Sequence, residues 1–154
     1  MIIIKRQVIR AALLGFLELL ETADEHTSIA LLELWLGQLA FLQHFISDVP
    51  EHGEASFVQP AHNDGRWRKL IAERFPTLGH YDIPAALPTP TGQSEMLVAD
   101  SVDDLADIAG EISECLRRWE HLGEEHALCY FRSGYQHGWG MRLRNLQGYL
   151  HDLQ

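Results

Sequence analysis

All six prolines of this 154-residue chain fall between positions 50 and 90: Pro50, Pro60, Pro76, Pro84, Pro88 and Pro90. Proline lacks the amide hydrogen that a helix interior needs, and its ring clashes with the preceding turn. A long helix is therefore barred from this stretch and allowed on either side of it. The length suits one domain, spanning 1–154, that buries its own core without staples. The expected organisation is an N-terminal helical hairpin over 5–48, an irregular connection over 49–99 and a C-terminal helical hairpin over 100–152.

Hydrophobic spacing fills in these parts. Ile9, Leu13, Phe16, Leu17 and Leu20 recur at helical intervals, which predicts a helix over 5–23. Thr27 or Ser28 can cap the next helix, which extends to about Asp48 and is apolar almost all round. Such a helix is central in its fold or hidden by a partner subunit. Gly37 within it suggests close packing. In the connection, Asn63 or Asp64 can cap a short helix over 64–75, with Trp67, Leu70, Ile71 and Phe75 inward and Pro76 ending it. The stretch Thr77–Ala99 reads as loop. Ser101 and Asp104 form an approximate capping box for a fourth helix, with Leu105, Ile108, Ile112, Leu116 and Trp119 inward. Glu114 and Arg118 have the favourable four-residue spacing on it. Gly123 breaks this helix, and the last runs over 124–151. Gly134, Gly138, Gly140 and Gly148 weaken that last helix, so a kink or a closely pressed neighbour is expected. No alternating-period strand is evident. The fold class is all-α: a four-helix bundle built from two helical hairpins, with a short extra helix in the proline-rich connection.

Charge narrows the function. Twelve basic against 22 acidic residues give a net charge of −10, which disfavours nucleic-acid and anionic-membrane surfaces. The apolar run Leu34–Ile46 is too short to span a bilayer. Arg10 and Glu18 bracket the N-terminal apolar patch and no small-residue cleavage site follows, so a cytoplasmic address is expected. Cys115 and Cys129 are expected to be reduced, buried thiols.

Hairpin geometry suggests where a site would lie. If the last two helices turn back near Leu122, Asp107 lies level with His137, and Asp103 and Asp104 lie level with Gly140 and Met141. The acidic stretch DSVDDLADI would then face YQHGWGMR. Three readings compete. In the first, Asp103, Asp104 and Asp107 complement the helix dipole and pair with Arg142 or Arg144, while Trp139 is core. In the second, Asp103, Asp104, Asp107 and Glu111 hold a divalent metal, since Mg²⁺ and Mn²⁺ favour carboxylate oxygens and Asp103, Asp107 and Glu111 repeat every four residues. In the third, Tyr135, His137 and Trp139 line a groove that, with Asp104, Asp107 and Arg142, binds a small molecule or peptide.

Other clusters carry less. His126, Cys129 and Cys115 match no closed zinc pattern. RWRK at 66–69, with Arg74, reads as a helix face paired with the acidic bulk, or else as an anion contact. No Gly-rich phosphate loop and no locally supported catalytic triad is present.

The segments VDDLADI (102–108) and HGWGMRLRNL (137–146) resemble the paired signature of an uncharacterised family of short bacterial helical proteins. That family carries an Asp-Asp-Leu-Ala-Asp-Ile motif and a later His-Trp-Gly motif. LGHYDIP (78–84) and the end of the first hairpin near Val49–Pro50 are similar in placement. The chain has Gly138 between His137 and Trp139, and Arg142 where the family pattern would place a histidine. The resemblance implies a helical fold and a bacterial origin, and no reaction.

The expected function is a non-enzymatic acidic helical domain that binds a protein partner or small ligand, as a homodimer or on a basic partner. The alternative is a metal-dependent hydrolase of a nucleotide or phosphate ester, with Arg142 on the phosphate. No cofactor is expected for the first; Mg²⁺ or Mn²⁺ would serve the second. The catalytic residues of such a hydrolase are unknown beyond these carboxylates.

Overall fold

The computed structural model describes residues 5–24, 26–46, 65–84 and 96–154. Among them, helices dominate. Helix α1 spans Arg6–Thr22 and buries Ile9, Leu13, Phe16 and Leu20, the inward stripe its spacing predicts. Helix α2 spans Ile29–Leu42 and passes into a single 3-10 turn, Gln43–Phe45. Its cap is Ser28, whose hydroxyl accepts from the Leu31 amide at 3.0 Å. Residues 47 and 48, placed in this helix by the sequence, lie outside the described residues.

Helix α2 buries Leu32, Leu36, Leu39 and Leu42 but leaves Leu31, Leu34 and Phe41 exposed, so it is not enclosed on every side. The close approach between α1 and α2 falls at Gly15 rather than Gly37. A Cβ at Gly15 would collide with the Trp35 indole, whereas one at Gly37 would meet only Gln147 Nε2 at an ordinary 3.5 Å.

Helix α3, Arg66–Arg74, is the short helix of the connection. Gly65 occupies its N-cap position with φ of 85°, a left-handed conformation that favours glycine; Asn63 and Asp64, the expected caps, lie outside the described residues. Trp67, Ile71 and Phe75 are buried and Leu70 is half-buried, as the spacing predicts.

Part of the stretch read as loop is a sheet, so the expected all-α class holds in outline, with a small antiparallel ribbon added to a mostly helical fold. Strands β1 (His80–Pro84) and β2 (Met96–Asp100) pair antiparallel, from His80 opposite Asp100 to Pro84 opposite Met96. The pattern in β1 does alternate, with His80 and Asp82 exposed and Tyr81 and Ile83 half-buried. Five residues are too few for that alternation to stand out beside neighbouring prolines. Residues 85–95, which include the PTPTG segment, lie outside the described residues.

Helix α4 spans Ser101–Leu122, and Gly123, with φ of 99°, reverses the chain into helix α5, Glu124–Gly134. The expected single final helix is then interrupted by a π-turn at Tyr135–Trp139 and resumes as α6, Gly140–Asp152. Two of the four glycines make this possible. A Cβ at Gly134 would lie 2.6 Å from Trp139 Nε1, and one at Gly140 would collide with the Tyr135 carbonyl oxygen. The widened turn lets Trp139 pack edge-on against Phe131 and Tyr135, at 5.3 and 5.2 Å between ring centres.

One apolar core joins these elements, from Ile9 on α1 through Ile108 and Ile112 on α4 to Leu146 and Leu150 on α6. Helix α4 packs against α1, α3, α5 and α6, and α2 packs against α1 and α6. That central position makes α4 the rod on which the polar side chains of the other elements converge.

Candidate functional site

The start of α4 is fixed by two side chains. Asp100 is the cap, its Oδ1 accepting from the amides of Val102 (2.9 Å) and Asp103 (3.4 Å). The cap therefore lies one residue before the expected Ser101. Ser101 is buried instead, and its hydroxyl donates to the Gly79 carbonyl at 2.6 Å. The Gly79 amide in turn donates to the Tyr149 hydroxyl at 3.0 Å. The peptides flanking β1 are thus bound to both α4 and α6.

From here the acidic motif runs up α4, and each carboxylate meets a different element. Asp103 accepts from Arg68 of α3, which also lies 3.5 Å from Asp100. Asp104 accepts from the Tyr81 hydroxyl of β1 at 2.6 Å, and the Tyr81 ring stacks on Tyr149 of α6 at 4.7 Å. Asp107 accepts from Arg142 of α6. Glu111 accepts from the Tyr130 hydroxyl of α5 at 2.5 Å.

Electrostatics separate these groups. Burial pushes the Asp104 carboxyl above the usual aspartate range, helped by Asp107 and Asp100, against the pull of the Tyr81 hydrogen bond and the Arg142 charge. Burial and the same hydrogen bond push the Tyr81 phenol up. Tyr130 is raised likewise by burial and by Glu111.

One turn beyond Glu111 lies a polar cluster whose burial the sequence does not announce. Glu114 accepts from Arg117 at 2.8 and 2.7 Å and from Arg118 at 2.9 Å. Glu114 is only 7% exposed and Arg118 2%. The Arg118 guanidinium lies 4.0 Å from the centre of the Tyr130 ring. Burial alone would raise the Glu114 carboxyl, but the hydrogen bonds and charges of Arg117 and Arg118 outweigh it and hold it below the glutamate range. The Glu114–Arg118 spacing is the one sequence signal for this cluster.

The residues of the expected site divide. Asp104, Asp107 and Arg142 come together at the level where α4 faces α6. The side chain that reaches Asp107 is Arg142, five positions beyond the His137 that hairpin symmetry places level with it. Tyr135 and Trp139 are buried in the core, and His137 is exposed on another face of the same turn. These three aromatic side chains therefore do not line a common groove. Asp103, Asp104, Asp107 and Glu111 lie along one side of α4 but point to four separate partners. Among the described residues, no group of three or more His, Cys, Asp or Glu side chains is placed to hold a metal ion, whether these four or Cys115 with His126 and Cys129. Cys115 is buried, its thiol pushed up to about 12 by burial, and it donates to the Ala127 carbonyl at 3.2 Å. Cys129 is half-buried, and both thiols are free.

Sequence reasoning misses Tyr81, Tyr149 and Arg68 as members of this constellation. Tyr81 sits in the segment read as loop, and Arg68 in the RWRK cluster read as a charged face. That face does pair with acidic groups, since Arg66 also lies 3.0 Å from Glu21. Beside Arg68 a cleft of about 420 Å³ opens between α3, β1 and the start of α4, lined by Lys69, Ala72, Leu78, His80, Asp100 and Val102 among others.

Residues 6–154 match the family model described as a domain of unknown function, DUF5063. The chain belongs to the DUF5063 family. Its fold is similar to that in the crystal structure of protein BF1032 from Bacteroides fragilis, with a TM-score of 0.62 at 18% identity. That similarity covers 97% of this chain and 89% of the other, and at this identity it speaks to fold alone. No curated protein matches the chain. Within the described residues of this DUF5063 chain, no helix is long and apolar enough to cross a membrane.

Proposed function

We propose that this protein is a non-enzymatic acidic helical domain that works by binding a protein partner. Its scaffold is a four-helix bundle of α1, α2, α4 and the α5–α6 rod. One observation carries the reading: the four carboxylates that resemble a catalytic set are each engaged by a different element, through Arg68, Tyr81, Arg142 and Tyr130. Groups so distributed fasten the fold around α4. They are not convergent on a point where a reacting atom could sit. The outer surface is then left for recognition, with a net charge of −10 and exposed apolar side chains on α2. The two free thiols fit a cytoplasmic location.

The hydrolase alternative makes the opposite demand, because Asp103, Asp104 and Asp107 would have to release Arg68, Tyr81 and Arg142 to take a metal. Thermal melts of the full chain in Mg²⁺ and Mn²⁺ separate the two. The expected result is no change in melting temperature up to millimolar ion. A rise of several degrees that Asp104→Asn abolishes would overturn the proposal.

A further inference from the structure

We infer that the exposed face of α2 is a self-association surface, on which a second copy of this chain docks its own α2 antiparallel about a two-fold axis. This rests on the reading of the protein as a binding domain and names the partner and the face. Leu31, Leu34 and Phe41 are 38%, 60% and 52% exposed, and with exposed Gln38 they form one narrow stripe along the helix. Scattered exposed leucines need no explanation, but a continuous stripe on one helix face does.

Two observations choose a second copy over another occupant. The first is charge. The whole chain carries −10, so two copies repel wherever their acidic surfaces meet. Helix α2 holds one charged residue, Glu33, about a third of a turn from the stripe and engaged near the end of α6 by Gln154 and by His151 at 3.4 Å. The stripe is thus a charge-free place for like to meet like, whereas a basic partner would be drawn to the acidic surface instead.

The second is spacing. The stripe positions 31, 34, 38 and 41 are separated by three, four and three residues, which reads the same in both directions. A two-fold axis crossing α2 at the level of Leu36 therefore places Leu31 against Phe41 of the second copy and Leu34 against its Gln38. An isologous contact needs this self-complementarity, and a heterologous partner does not. On α1, exposed Leu14 lies next to Gly15, which receives Trp35 of α2.

Light scattering after gel filtration of the full chain at sub-millimolar concentration tests this. A particle of twice the 17.5 kDa chain mass is expected, and a monomer overturns the inference. Leu34→Glu with Phe41→Glu is expected to weaken the dimer on the order of 100-fold through buried like charges, with helical content unchanged. The milder Phe41→Gln guards against misfolding and should weaken it in the same direction; a dimer indifferent to both variants overturns the inference. In a Cys129→Ser background, mixing Leu31→Cys with Phe41→Cys should give the mixed disulfide in excess over either homodisulfide, and the reverse excess overturns the antiparallel geometry. None of these readouts involves metal. A monomeric chain insensitive to Mg²⁺ therefore removes only this surface, while a metal-stabilised dimer removes only the non-enzymatic reading.

Discussion

The hydroxyl of Tyr81 donates to Asp104 Oδ2 across 2.6 Å, and this hydrogen bond ties the two-stranded ribbon to the central helix. The same tyrosine stacks on Tyr149, so the ribbon is held from α4 and from α6 at once. Removing the hydroxyl keeps the ring stack and leaves the half-buried carboxylate with one donor fewer. Tyr81→Phe is expected to cost about 1.5 kcal/mol in urea unfolding. It should also speed amide hydrogen exchange in β1 while leaving α1 and α2 unchanged. Equal exchange throughout the chain would contradict the placement.

Asp104 and Glu114 should respond to pH with opposite signs. The folded Asp104 carboxyl ionises above the ordinary aspartate value of 3.8, so its charged form opposes folding. Its contribution is therefore most favourable below 3.8 and declines as pH rises through the folded value. Wild type should gain stability relative to Asp104→Asn as pH is lowered through that window. A difference that shrinks instead would reverse the assignment.

Glu114 ionises below the ordinary glutamate value of 4.5, so its contribution is complete above that value and is lost as pH falls through the lower folded value. Because its partner Arg118 is buried, deletion of the carboxylate removes a counter-charge from a guanidinium held in the core. Glu114→Ala is expected to cost about 3–5 kcal/mol at neutral pH, with the deficit narrowing in acid. Denaturant unfolding at two pH values reads both effects.

The glycines of the α5–α6 rod should fall into two groups. Gly140→Ala forces a Cβ onto the Tyr135 carbonyl, a backbone atom that cannot turn aside, and should destabilise by about 3 kcal/mol or more. Gly148 has open space around it, so Gly148→Ala should stabilise by about 1 kcal/mol through helix propensity. Melting temperatures of the two variants moving in the same direction would refute the account of the π-turn.

The thiols should also differ. Cys115 is buried with its ionisation pushed up to about 12, while Cys129 is partly accessible. A thiol reagent at mildly alkaline pH should titrate Cys129 alone in the native protein and both residues after unfolding.

The inward stripes of α1, α3 and α4 are legible in the sequence because a helix repeats every 3.6 residues, and burial must follow that repeat. The glycines of the last rod point to a kink or a closely pressed neighbour, without choosing between them. The choice of a π-turn depends on where the Trp139 indole and the Tyr135 carbonyl come to rest, which no local pattern specifies. The ribbon escapes notice for a related reason. Its strands are short, and what holds Tyr81 in place is Tyr149, far along the chain.

The sequence alone determined that DDLADI would be one charged side of a helix, since that follows from spacing. Only the tertiary structure decided what those carboxylates meet. Their partners Arg68, Tyr81, Tyr130 and Arg142 stand 19 to 35 positions away and come from four separate elements. Such pairings are set by how the helices and the ribbon pack, which is a property of the assembled core rather than of any segment within it.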